Sequence, residues 1–369
     1  MASLADSLKR RIALEGPLTV ADYMAEVAAH PGRGVYSGDP LGATGHFITA
    51  PEISQMFGEL IGLWAATVWK AMGEPDPVSL VELGPGRGTL MVDALRAAQA
   101  APEFRSALRP FLVEISPVLK ERQRHALGGA APDVEAVWLD DLSRVPDGPR
   151  LFIANEFFDA LPIRQFQKFA SGWSERLVDV DPRAGGFRFI QARPGLAAAA
   201  WIGSEAPVGT WVEISPAAVT LAHAISTGIK DFGGAALIID YGAVEARSGS
   251  SLGVVRAHAA HDVLADPGSA DLSAHVDFAA LRRAATEAGA TVHGPVSQGQ
   301  FLRQLGIESR AEVLAARNAS AAPEIRSALR RLVDPTEMGT LFKALAITRD
   351  PSLPPGFERY NGVDDPLSS

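Results

Sequence analysis

The sequence predicts an α/β chain on a mostly parallel sheet, with a helical N-terminal extension and an inserted β-rich segment. Three observations lead there. Short apolar runs alternate with amphipathic helical stretches from residue 78 onward, the pattern of βαβ units. A glycine-rich turn, Gly84-Pro85-Gly86-Arg87-Gly88, stands between the first of these runs and the helix that follows it. About 80 residues then separate the apolar run 151–154 from the next one, 236–239, far more than an ordinary crossover.

The elements follow in order. Residues 4–14 have helical spacing, and Thr19 is placed to cap a second helix over 20–29. Residues 30–50 carry many glycines and read as one long binding or lid loop. Pro51 suits a helical first turn. Ile53, Met56, Phe57, Leu60, Ile61, Trp64 and Val68 fall on one 3.6-residue stripe, so a single long helix is expected, with Trp64 and Trp69 in the core. The alternation then gives strand 78–83, helix 89–98, strand 111–115, helix 117–127, and strands 134–139 and 151–154. Alternating stretches at 165–169, 175–180, 187–191 and 210–214 predict an antiparallel β insertion, closed by a helix over 216–227. After strand 236–239 come a helix at 278–288, a strand near 291–294, short helices and a last apolar strand at 341–348. The tail from Pro354 is rich in Pro, Asp and Ser and is expected to be loosely held. The chain thus divides into an extension (1–72), a sheet domain (73–162 and 235–350), an insertion (163–234) and a tail (351–369).

Composition narrows the function. There is no cysteine, which excludes disulfides and thiolate metal sites and fits a reducing cytoplasm. No run of 18 apolar residues appears, so no membrane span is expected. The first residues lack the apolar stretch of a secretory signal, and Asp6 and Glu15 suit a mitochondrial leader poorly. A net charge of −9 gives no general attraction to nucleic acid and suits a basic partner, such as an arginine- or lysine-bearing protein segment. The apolar stripe on the long helix fits either core or a homodimer interface.

Five motifs carry chemistry. In Val81-Glu82-Leu83-Gly84-Pro85-Gly86-Arg87-Gly88 the glycines let the backbone turn sharply and approach a ligand. Their G-x-G-x-G spacing differs from the G-x-G-x-x-G of dinucleotide sites; it is the form methyltransferases use, and Glu82 supplies an acid able to hold the methionyl ammonium of S-adenosylmethionine. Glu114, with Ser116 beyond it, follows the second strand, where a carboxylate can accept both ribose hydroxyls. Asp140-Asp141-Leu142 follows the third strand and is placed for the adenine amino group, or else for a turn or helix cap. Asn155-Glu156-Phe157-Phe158-Asp159-Ala160-Leu161-Pro162 sets two carboxylates and an amide beside two aromatics at a strand end. Glu156 and Asp159 would share a face if this segment turned helically. Asp240-Tyr241-Gly242 ends another core strand and could reach the same pocket. His275 and Tyr36 are further candidates for the pocket wall, while Asp277 reads as a helix cap.

Together these residues resemble the MidA family of methyltransferases, which includes the mitochondrial arginine methyltransferase that assists assembly of respiratory complex I. Nearly the whole chain takes part in the resemblance. It extends from Phe47-Ile48-Thr49-Ala50-Pro51-Glu52-Ile53-Ser54-Gln55 through the motifs above to His275-Val276-Asp277-Phe278 and to Met338-Gly339 before Phe342-Lys343. It implies a class I methyltransferase fold, a Rossmann-like sheet with one antiparallel strand, and S-adenosylmethionine as donor. It also makes an arginine of a client protein, such as a complex I core subunit, the expected acceptor. The Ala-, Gly- and Arg-rich composition suggests a bacterial, cytoplasmic member, the eukaryotic relatives being mitochondrial. On this reading Glu156 and Asp159, with Asn155 beside them, fork the guanidinium and accept its proton. Phe157 or Phe158 would shape a slot for it, and the segment around Tyr36, Phe47 and Pro51 would close over the donor. Three other readings stand beside it. One is a nicotinamide-dependent oxidoreductase, one a non-catalytic assembly or scaffold protein, and one a small-molecule methyltransferase.

Overall fold

The computed structural model describes residues 3–38, 48–195, 202, 206–243, 249–256 and 259–358. Phe47, expected over the donor, lies outside them, as does the tail beyond residue 358.

The central sheet has eight strands. Along it, Thr291–Ser297, Phe342–Thr348, Gly234–Ala243, Arg150–Asn155, Val78–Leu83, Leu108–Val113 and Val137–Leu139 lie side by side, and Val276–Asp277 pairs with Gly234–Ala243. Phe342–Thr348 runs antiparallel to both neighbours, and every other pairing is parallel. This is the class I methyltransferase order with its one antiparallel strand. Buried on both faces, the inner strands are near-continuous apolar runs, as parallel strands must be. Arg150–Asn155 is buried throughout, and so is Phe342–Thr348.

Helices cover both faces. Gln55–Ala71, Thr89–Ala97 and the late helices pack one side through Phe57, Trp64, Met91 and Phe301. Pro216–Phe232 and Phe278–Glu287 pack the other through Ala222, Ile229, Phe278 and Leu281. Trp64 and Trp69 are core residues, at 1 % and 6 % exposure. The helix expected to run on from Pro51 is broken. Ala50–Ile53 forms one turn, Ser54 is extended, and its hydroxyl accepts from Met56 N–H to start Gln55–Ala71 afresh. Gly58 and Gly62 let this second helix touch Thr89–Ala97. A Cβ at Gly58 would come within 2.6 Å of Asp93 Cβ, and one at Gly62 within 2.6 Å of Ala94 O.

The insertion strands form as expected: Arg164–Phe169, Gly172–Val180, Phe187–Ala192 and Trp211–Ile214, all antiparallel. The division into extension, sheet domain and insertion is crossed, however, by a third core. Leu4, Leu8, Val20 and Tyr23 of the N-terminal helices pack with Ile163 and Val178 of the insertion and with Val254, Leu272 and Ala274 from the late part of the chain. Leu18–Thr19 even adds a strand to the insertion sheet. Amphipathic faces show which side of an element seeks cover, but not which distant element supplies it.

The start of the tail is held, not loose. Phe357 is buried against Phe301 at 5.4 Å between ring centres, and the Gln300 and Gln304 amides donate to Glu358 O.

Candidate active site

A cavity of about 450 Å3 lies beyond the carboxyl ends of Val78–Leu83, Leu108–Val113 and Arg150–Asn155. Between the first and third of these strands the strand order reverses, which is where open α/β sheets bind ligands.

On one side stands the glycine loop. Gly84, Gly86 and Gly88 have φ of 60°, 54° and 84°, a region costly for residues with a Cβ. Gly84 is constrained twice, since a Cβ there would lie 2.6 Å from Phe157 Cδ2. Gly84 and Gly86 line the cavity, whereas Gly88 starts the following helix and faces Gln123. Glu82 lines the cavity at 3 % exposure, and its Oε2 has no hydrogen-bond partner. Burial, then the charge of Glu114, pushes it up to about 8. A buried carboxylate oxygen left unpaired at a cavity wall suits a cationic ligand group.

Glu114 lies just past its strand, which ends at Val113 rather than the expected residue 115. Its Oε1 accepts Ser116 N–H at 2.7 Å and its Oε2 accepts the Gln123 amide at 3.2 Å. Burial raises it, and those hydrogen bonds pull it back. Each oxygen keeps accepting capacity for a hydroxyl. Ser116 is not a wall residue: it is 2 % exposed, and its hydroxyl caps the next helix at Leu119 N–H. Asp140, Asp141 and Leu142 line the rim. Asp140 is exposed and paired with Lys120 and Arg144, and Asp141 also caps a turn through Ser143 N–H. Hydrogen bonds from Lys120 and from Ser143, respectively, hold both below the usual carboxylate range.

Glu156 lines the cavity just past the neighbouring strand, Arg150–Asn155. Its φ of 50° is left-handed, a strained state for a residue with a Cβ and one that concentrates at functional sites. Its N–H donates to Ile239 O, while Ala50 N–H (2.7 Å) and the Asn155 amide (3.1 Å) donate to its Oε1. Burial outweighs these bonds and raises it to about 7. Asn155 also lines the cavity. The helical turn expected to pair Glu156 with Asp159 does not form, because the left-handed residue breaks it. Asp159 does not line the cavity. It is held well above the carboxylate range by burial and then by Asp240, Asp271 and Glu156.

Asp240, Tyr241 and His275 also stand behind the wall. Asp240 is 0 % exposed; its Oδ2 accepts the N–H groups of Phe157 (3.1 Å), Phe158 (2.9 Å) and Asp159 (3.2 Å), and its Oδ1 accepts Tyr241 N–H. It is the anchor of the 156–159 turn rather than a pocket residue. The Tyr241 hydroxyl donates to Ser273 Oγ, and its ring meets His275 edge-on at 5.2 Å. Tyr36 does line the cavity, and its hydroxyl donates to Asp271 Oδ2 at 2.5 Å.

Three residues outside the sequence-based candidates matter. Gln123 is fully buried; its amide donates to Gly86 O (2.7 Å) and Glu114, while its Oε1 accepts the Trp138 indole N–H. Its signal was available, as the one amide on the Leu119–Gln123–Leu127 stripe. Glu52 lines the cavity and accepts the Thr89 hydroxyl at 2.5 Å. Asp271 had no local signal.

This strand order, with a glycine loop and acids at the ends of the first two strands, defines a class I S-adenosylmethionine-dependent methyltransferase. A family model described as an S-adenosyl-L-methionine-dependent methyltransferase matches residues 60–296. The chain belongs to that family, the MidA family. It is 40% identical to the mitochondrial protein arginine methyltransferase NDUFAF7 of Mus musculus, over 98% of this chain and 88% of that one. It is 38% identical to its counterpart in Xenopus laevis, over 94% of this chain and 84% of that one. A solved Burkholderia thailandensis structure bound to S-adenosyl-homocysteine is similar at a TM-score of 0.83 and 32% identity, covering 96% of this chain and 92% of that one. The oxidoreductase reading is thereby set aside.

Proposed function

We propose that this methyltransferase acts on an arginine side chain of a client protein. The observation that carries this reading is Glu156, a half-buried carboxylate held in a left-handed turn on the cavity wall, at the end of the strand beside that of Glu82. The printed names of the Mus musculus and Xenopus laevis relatives support it.

The donor side is suited to the cofactor in its polar order. Glu82, with its unpaired oxygen, would hold the methionyl ammonium, Glu114 the ribose hydroxyls, and Asp140–Leu142 the adenine edge. When bound, S-adenosylmethionine supplies a methyl group already activated by its sulfonium. The chain's remaining work is alignment and removal of a proton. A guanidinium stays protonated in water and its lone pairs are delocalised. Glu156 would hold one guanidinium N–H and accept its proton as the nitrogen–carbon bond forms and the carbon–sulfur bond breaks. A carboxylate raised to about 7 is a stronger base than an exposed one. Asn155 and Ala50 N–H would keep it oriented. Asp159 would act from behind the wall, in the charge balance around Glu156.

The rest of the proposal concerns setting. We read the chain as a Rossmann-like unit and a cap assembled from the N-terminal helices, the insertion and the 252–274 segment, with the shared third core as support. A complex I core subunit as client, and a bacterial cytoplasmic setting, are part of the same proposal, supported by the family resemblance and the composition. No described helix is long and apolar enough to cross a membrane.

The test is calorimetric titration with S-adenosylmethionine, with NAD and NADP as controls, for the wild type and Glu114→Ala. Radiolabelled methyl transfer to protein follows, with hydrolysis to amino acids. Saturable binding weakened by the substitution, and label in methylarginine, are expected. Label in another residue would overturn the arginine reading, and donor binding without any transfer would favour a scaffold role.

A further inference from the structure

Tyr36 and Asp271 meet across most of the chain, and no motif contains both. Tyr36 belongs to the N-terminal cap and lines the cavity. It shares the cavity wall with both Glu114 and Glu156. Its hydroxyl has one hydrogen, and Asp271 Oδ2 takes it at 2.5 Å. A phenol whose hydrogen is committed in this way can only accept elsewhere. Asp271 is 8 % exposed, and its other oxygen, Oδ1, is buried without a partner. Nothing about packing alone calls for a carboxylate there; an apolar residue would remove an unpaired buried oxygen, a costly feature. What the carboxylate provides is a fixed direction for the Tyr36 hydroxyl.

We infer that Asp271 is a positioning residue, locking the Tyr36 hydroxyl so that its oxygen accepts a hydrogen bond from a cationic N–H of the acceptor. The inference rests on the acceptor being a positively charged side chain. Glu156 would then hold one nitrogen of that group and Tyr36 another. With Glu82 and Glu114 proposed for the donor, the Tyr36 hydroxyl is a neutral oxygen on the cavity wall left for the acceptor. A neutral oxygen backed by a carboxylate attracts a cation without placing a second full charge beside Glu156.

The experiment uses the full chain saturated with S-adenosyl-homocysteine and titrated with N-acetyl-arginine methylamide, followed by calorimetry and NMR. Tyr36→Phe keeps the ring and removes only the oxygen. Tyr36→Phe and Asp271→Ala are each expected to weaken probe binding about 10-fold, roughly the worth of one hydrogen bond to a charged group. The double variant should be no weaker than either single one. Asp271→Asn should restore most of the affinity, because its amide oxygen still accepts the phenol hydrogen. Binding of S-adenosyl-homocysteine should change much less than binding of the probe. Additive losses, an equal loss of S-adenosyl-homocysteine binding, or unaltered probe binding in Tyr36→Phe would each overturn the inference. Should Asp271→Ala fail to fold, Asp271→Leu, which fills the space but cannot accept the phenol hydrogen, takes its place. If only N-acetyl-lysine methylamide binds, with the same dependence on Tyr36, the arginine reading fails and this inference stands. If neither probe binds, the inference falls while the donor site remains.

Discussion

On the side of the cavity proposed for the donor, most polar groups are held by residues close to them in sequence, although Gln123 reaches Gly86 and Lys120 reaches Asp140. Glu82 and Gly84 to Gly88 form one strand-turn-helix, Glu114 is tied to Ser116 and Gln123, and Asp141 to Ser143. On the side proposed for the acceptor, apart from Asn155 beside Glu156, the partners are remote. Glu156 takes its hydrogen bond from Ala50 at a separation of 106 residues, Asp240 reaches Phe157 across 83, and Tyr36 reaches Asp271 across 235. A locally closed site survives if its own turn forms. A site closed by distant partners exists only once the sheet and the cap have packed. Substitutions on the donor side should therefore change affinity within an intact fold, and those behind the acceptor wall should cost stability as well.

The largest effect expected is on catalysis. Glu156→Gln keeps shape and hydrogen-bonding capacity but removes the base, and kcat should fall about 10²- to 10⁴-fold. Donor affinity measured by calorimetry should not move, and a coupled fall in both would join the two sides that the comparison separates. Next comes Asp240→Ala, which strands four N–H groups, those of Phe157, Phe158, Asp159 and Tyr241. Thermal or urea unfolding should show a loss of about 3 kcal/mol, with the cost of unsatisfied buried groups as its source. An unchanged Tm would mean that the 156–159 turn does not depend on its distant anchor.

Gly84→Ala should weaken S-adenosyl-homocysteine binding about 30- to 100-fold while the sheet still folds. Its sources are the left-handed φ, worth about 1–2 kcal/mol, and the contact with Phe157. The comparison sharpens further with pH. Glu82 stands near 8 in the folded protein against an ordinary 4.5. Between those values the unfolded chain is ionised while the folded one keeps its proton. Stability of the ligand-free protein should therefore decline from about pH 4.5 to 8 and then level. Glu82→Gln should flatten that slope in denaturation curves. A methionyl ammonium placed beside Glu82 would expel its proton, so calorimetry in buffers of differing ionisation enthalpy at pH 7 should register proton release for the wild type and less for Glu82→Gln. The smallest effect is at the rim. Asp140 is exposed and paired with Lys120, and Asp140→Ala should change donor affinity only a few-fold and stability by less than about 1 kcal/mol.

The same contrast governs what could be read from the chain. Gly84, Gly86 and Glu82 stand in one turn, and Glu114 stands at the next strand end, so spacing alone brought these residues to one cavity. The apolar runs gave the strands to within a few residues, and the long gap after residue 155 marked the insertion. By contrast, Asp159, Asp240 and His275 occupy positions like that of Glu156, after or near core strands, yet only Glu156 reaches the cavity. A positive φ at one residue turned it inward and sent Asp159 behind the wall. That choice depends on Ile239 O and the Asp240 carboxylate, which arrive from a strand some 80 residues later.

The amino-acid order by itself determined the alternating pattern, the glycine turn and the acids at the strand ends. These are local: backbone sterics and the period of apolar residues fix them within a few positions. Only the tertiary structure decided that the N-terminal helices, the insertion and the 252–274 segment share one core, that Asp240 is an anchor, and that Tyr36 meets Asp271. Contacts between residues hundreds of positions apart follow from how buried surfaces match and how buried polar groups find partners. Neither leaves a period or a spacing in the sequence.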